Sequence, residues 1–161
     1  RQRFLVSIGF ASILTIGAAL CYTLGAVVGG RFVKRFGRKP FTALAAFVAG
    51  VFAISYTNLP SLWLSLVLEF LGCLFAGMRV TAADSLILEQ VPSFRGTMMS
   101  ISTAATALGS ALGAGLGGLA LLLFNYEGVG MSLGGMGIAA AIVFHLLATD
   151  PTGTEMRKSG T

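Results

Sequence analysis

Gly30-Arg31-Phe32-Val33-Lys34-Arg35-Phe36-Gly37-Arg38-Lys39-Pro40 places five cationic side chains in eleven residues, with long apolar stretches on either side. Such a cluster is a poor core element, because buried cations need partners. Beside membrane-spanning helices it is a topological anchor, since Lys and Arg flanking a span are retained on the cytoplasmic side. The stretch therefore predicts an inner turn between two membrane helices, with Gly30 and Gly37 permitting a tight reversal.

The composition agrees with that setting. The chain has 161 residues, 55% of them hydrophobic and 11% charged, with a mean hydropathy of +0.86. A soluble domain carries about a quarter of its residues charged to solvate its surface. Five apolar stretches approach or exceed the roughly 20 residues that cross a hydrocarbon core: Phe4 to Gly30, Phe41 to Tyr56, Leu62 to about Ala83, Thr97 to Phe124 and Val129 to Ala148. The expected fold class is an all-α, polytopic membrane helix bundle over residues 1–148, with a short cytoplasmic tail at 149–161. Thr57-Asn58-Leu59-Pro60 closes the second span, Pro restricting the preceding residue and Asn favouring a bend.

The cations sort to one side. With the opening stretch cytoplasmic, the inner side holds Arg31, Lys34, Arg35, Arg38, Lys39, Arg95, Arg157 and Lys158, and the outer side only Arg1 and Arg3. The outer turns, Thr57 to Ser61 and Asn125 to Gly128, contain no cation. This bias explains the net charge of +5 by topology and attraction to anionic lipid, and no nucleic-acid partner is expected. An odd number of crossings sets the amino terminus outside and the carboxyl terminus inside a cell membrane. Arg1 precedes an apolar stretch too long for a signal-peptide core, so the chain reads as part of a longer polypeptide whose amino-terminal helices are its partners. Cys21 and Cys73 fall in different spans and read as small apolar residues.

Gly30, Arg35, Gly37, Arg38 and Lys39 fit Gly-x-x-x-Asp-Arg-x-Gly-Arg/Lys-Arg/Lys, with Lys34 in the Asp place. The pattern resembles the loop signature of the major facilitator superfamily, which joins helices two and three and recurs more loosely between eight and nine. Lys34 favours the looser copy and removes an acid that resembles a gate latch. Glu89 to Thr97, Glu-Gln-Val-Pro-Ser-Phe-Arg-Gly-Thr, is similar to the superfamily's connection between helices ten and eleven. Physically, Pro92 ends one helix there and Gly96 with Thr97, a plausible cap, starts the next. Gly109, Gly113, Gly117 and Gly118 share one helix face. They resemble the antiporter motif Gly-x-x-x-Gly-Pro-x-x-Gly-Gly, with Ala114 in place of Pro. Close helix packing is the favoured role of that face, and specific antiport the other. The resemblance thus implies helices eight to twelve of a twelve-helix transporter. A placement as helices two to six suits the antiporter motif better, and the short tail argues against it.

Ionisable groups inside a span cost about 2.5 to 3.5 kcal/mol each, so they are functional candidates. Glu69 lies two turns into the third stretch, at a depth that the resemblance associates with substrate and proton sites. Desolvation disfavours a carboxylate's charge, the physical basis for a proton-titrating role. The alternative is a Glu that snorkels or pairs with a residue elsewhere in the polypeptide. Arg79 and Asp84 point about 140° apart on one helix and do not pair with each other. The resemblance implies that Asp84 or Glu89 faces Arg35, Arg38 and Lys39 in an inner-gate charge cluster. His145 is either a proton relay or, more commonly for its setting beside Phe144, an interfacial side chain.

No catalytic constellation is legible, and neither a cofactor, a metal nor an enzymatic activity is expected. The expected function is secondary transport of a small solute coupled to protons, as efflux. Facilitated sugar or metabolite uptake, or a non-transporting scaffold, are the alternatives. The five helices alone are expected to be inactive.

Overall fold

A computed structural model describes residues 8–90 and 92–148, with the side chains at 8, 89, 90, 92 and 125–127 left aside. The described chain is helical almost throughout: α1 spans Ile8–Phe36, α2 Arg38–Asn58, α3 Leu62–Gln90 and α4 Arg95–Leu147, with a 3-10 turn at Pro92–Phe94 before α4. Five segments are long and apolar enough to cross a membrane: Gly9–Phe36, Arg38–Asn58, Leu62–Leu88, Arg95–Phe124 and Gly128–Leu147. The expected tail at 149–161 lies outside the described residues.

Helices outlast their apolar windows at the cationic end. The expected inner turn from Gly30 is in fact helical to Phe36, and α2 begins at Arg38. Backbone hydrogen bonding does not stop at the hydrocarbon edge, and Lys and Arg stems can lie along a helix that protrudes from it. The turn is the single residue Gly37, at φ 84°, where its N–H donates to the Val33 carbonyl at 3.1 Å. That φ lies in the region open to glycine at little cost. Gly30 takes no part in the reversal.

α4 starts at Arg95 with Phe94 at its cap position and no side-chain cap, so Thr97 lies inside the first turn; the 3-10 turn has already set the entry. The expected outer turn at Asn125 to Gly128 is helical backbone within α4. The direction nevertheless reverses there. A methyl group on Gly117 would stand 3.4 Å from Leu133 Cδ1, whereas a straight helix would hold those residues roughly 24 Å apart. Gly128 packs against Phe124 so tightly that a Cβ would overlap it. α4 is thus two limbs, 95–124 and 128–147. The outer turn after α2 falls where expected, with Asn58 Nδ2 donating to the Ile54 carbonyl at 2.8 Å.

Two glycine seams hold the bundle. On α1, a methyl on Gly29 would stand 2.8 Å from Met78 Cα, and Gly25 lies directly against the Leu74 backbone. On α3, Gly77 lies against the Tyr22 carbonyl, and Thr81 Oγ1 donates to the Ala26 carbonyl at 2.8 Å. Residue numbers rise together along this contact, so α1 and α3 run parallel. The second seam joins α2 to the second limb of α4. A methyl on Gly50 would stand 3.1 Å from the Gly134 carbonyl, and Thr57 abuts Gly130. Here the numbers run oppositely, as they do where Phe52 of α2 meets Phe75 of α3 at 5.9 Å between ring centroids. Small residues let backbones approach where lipid removes the usual hydrophobic drive. Val33, Phe41, Met78 and Ala82 close a small core at one end.

Candidate functional site

These directions gather the charged groups. The carboxyl ends of α1 and α3, the start of α2 and the end of α4 share one face of the bundle. Arg31, Lys34, Arg35, Arg38, Lys39, Asp84 and His145 therefore lie toward that end, and the cation-free turn after Asn58 lies at the other. Arg35 is exposed, its guanidinium 5.9 Å from the Phe36 ring centroid. Arg38 and Lys39 are half-buried in the first turn of α2, and the Arg38 carbonyl accepts from Thr42 Oγ1 at 2.7 Å. Asp84 is half-buried on α3. The Glu89 backbone lies in the last turn of α3, while its side chain lies outside the described residues. His145 is exposed beside Pro40 and Phe47 in a surface cleft of about 350 Å³.

Glu69 sits near the opposite end, half-buried on α3. Its carboxylate lies within electrostatic reach of Tyr56 on α2 and of Cys73 one turn further along α3. Cys21 of α1 lies within similar reach of Cys73, and both thiols are free and half-buried. Glu69 therefore lies by the Tyr56 phenol of α2 and the Cys73 thiol of its own helix, and Cys73 in turn neighbours Cys21 of α1.

A cavity of about 490 Å³ opens elsewhere, between α2, α3 and the second limb of α4. Thr42, Ala49, Ala76, Gly137 and Phe144 line it, and Arg79 is the charged residue on its wall. Glu69 is not among its lining residues, so the expected mid-span acid and the observed cavity are separate features of α3.

The glycine face of α4 is open. Among the described residues, nothing stands within 4 Å of where a Cβ would be at Gly109, Gly113 or Gly118, and Gly117 meets Leu133 at 3.4 Å. The close packing expected of these four is made instead by Gly25, Gly29, Gly77, Gly50 and Gly134. Gly25 and Gly29 carry a readable signal, four-residue spacing in an apolar stretch, and Gly130 and Gly134 repeat it; Gly50 is isolated in its helix and carries none.

Five apolar spans, parallel and antiparallel in alternation and joined through small residues, define a polytopic α-helical membrane protein. The family model of the Major Facilitator Superfamily matches residues 1–161, and the chain belongs to that superfamily. No curated protein and no solved structure matches the chain. Members of the superfamily are transporters rather than enzymes, and membership places this chain in the membrane transport of a small solute.

Proposed function

We propose that the transporter exports a small organic solute in exchange for protons, with Glu69 as the group that takes up and releases the proton. The observation that carries this reading is a carboxylate within a membrane span, half-buried beside Tyr56 and Cys73. A charge held inside the bilayer at such cost is a functional group by default. Tyr56 is a hydroxyl that can donate to the carboxylate form.

In the same reading the five spans are helices eight to twelve, supported by Lys34 in the acid's place of the motif and by Ala114 in the glycine face. The cationic end faces the cytoplasm of a cell membrane, and the amino terminus of the chain faces outside. Arg35, Arg38 and Lys39 meet Asp84 and Glu89 as an inner gate, supported by the shared end of α1, α2 and α3. Lipid surrounds the spans, and the remaining helices of the polypeptide complete the solute path.

The test is transport by the intact transporter in proteoliposomes under an imposed proton gradient, native against Glu69→Gln. Loss of the response to the gradient with retained solute exchange is expected. An unchanged response removes Glu69 from proton coupling.

A further inference from the structure

We infer that the cavity beside Arg79 is the seat of a further membrane-spanning helix, one that carries an Asp or Glu facing the guanidinium. This identifies a partner by its chemistry and does not depend on proton coupling or on the direction of transport.

The shape comes first. α3 and the second limb of α4 both pack along α2 but scarcely touch each other, so α2 is a floor and the other two are walls. Along the floor the lining residues Thr42, Ala46, Ala49 and Ala53 recur at helical spacing over roughly 16 Å, about three turns. On the α3 wall Ala76 and Ala83 stand one turn to either side of Arg79, and the α4 wall presents Gly134, Gly137, Ala140 and Ala141 between Leu133 and Phe144. Small side chains on all three sides leave room for a helix backbone to settle deeply. That is how helices associate in lipid, and an acyl chain has no need of it.

Arg79 is exposed on the cavity wall and makes no hydrogen bond or ion pair among the described residues. A guanidinium stays charged at any working pH, and a cation within a span is paired as a rule. Among the described side chains, no acid lines the cavity. Apart from α3 itself, none of the segments Gly9–Phe36, Arg38–Asn58, Arg95–Phe124 and Gly128–Leu147 contains an Asp or Glu. Glu69 and Asp84 sit on the same helix as Arg79, ten and five residues away, and neither lines the cavity. The open glycine face of α4 is shaped to pack but brings no carboxylate. The counter-charge therefore comes from a helix outside these five.

The probe is a designed single-span peptide of Leu, Ala and Gly with one Glu at the depth of Arg79, labelled and titrated against the full chain in lipid bicelles. Saturable binding is expected. Affinity should fall about tenfold when the peptide Glu becomes Gln, and equally with Arg79→Gln in the chain, the scale of a polar contact between membrane helices. The two changes together should cost no more than either alone. Ala49→Leu, which fills the floor without touching charge, should also weaken binding. The decisive variant leaves the walls intact: Arg79→Glu should reject the Glu peptide and accept a Lys peptide, with unchanged helicity. Equal binding of Glu and Gln peptides, or failure of the charge exchange, overturns the inference. So does displacement of the peptide by phosphatidylglycerol in the native chain but not in Arg79→Gln, which would give the groove to an anionic lipid. Cross-linking of the groove to a second copy of this chain would overturn it too.

Discussion

Two glycine-bearing surfaces of this molecule have the same chemistry and opposite fates. The α1–α3 seam brings Gly25, Gly29 and Gly77 into backbone contact with the facing helix, while Gly109, Gly113 and Gly118 on α4 face open space. Both surfaces carry glycine at four-residue spacing in an apolar helix. Small-residue spacing therefore marks where a helix can be approached closely and says nothing about which helix approaches. α1 and α3 find each other because the chain returns after an intervening span, placing two parallel helices side by side. The α4 face has no described neighbour except the returning limb of its own helix at Leu133.

The largest expected effect comes from breaking the closed seam. Gly77 lies directly against the Tyr22 carbonyl, so Gly77→Val forces α1 away from α3 or distorts one of them. Overpacking of this kind costs about 1–3 kcal/mol and more when backbone is the obstacle. The native thiols supply a readout, since Cys21 on α1 lies near Cys73 on α3. A short bifunctional thiol reagent should join them in the native chain and fail to do so in Gly77→Val. Equal cross-linking in both would show that the seam does not hold these helices together.

The same contrast explains what could be read from residues alone. Apolar runs and the placement of Lys and Arg made the all-α class and the number of spans legible, because hydrocarbon thickness imposes a length and charge imposes a side. Helix ends were less legible. The hydropathy change at Gly30 marks the edge of the apolar run, yet the backbone stays helical to Phe36 and turns on Gly37 alone. The residues at 125–128 mark the reversal inside α4 but not its form, since none of them distinguishes a loop from helical backbone folded about Gly128. Glu69, Arg79 and Asp84 were legible as costly charges in one span. Which of them faces a cavity depends on how α2, α3 and α4 come together, a long-range property that no local pattern encodes, and the cavity belongs to Arg79.

A smaller effect tests whether the seam is more than steric fit. Thr81 Oγ1 donates across the seam to the Ala26 carbonyl at 2.8 Å. Thr81→Val keeps the shape and removes the hydroxyl, which in hydrocarbon averages about 0.6 kcal/mol for a polar contact between helices. A slight fall in the midpoint of unfolding, with Cys21–Cys73 cross-linking retained, is the expected result. Loss of cross-linking as severe as in Gly77→Val would mean that the hydrogen bond, rather than backbone approach, holds α1 on α3.

The smallest effect is expected on the open face. The Cβ of Gly113→Leu meets nothing within 4 Å among the described residues, so its unfolding midpoint should stay within the roughly ±0.5 kcal/mol of an uncontacted surface change. Leucine should gain slightly, because glycine is among the weaker helix formers. The identical substitution in the intact transporter separates two meanings of an open glycine face. If another helix seats there, Gly113→Leu should lower stability and transport on the scale of Gly77→Val, since the leucine then meets backbone. Should it remain silent in that setting, the face looks to lipid, and its glycines serve the flexibility of α4 rather than its packing.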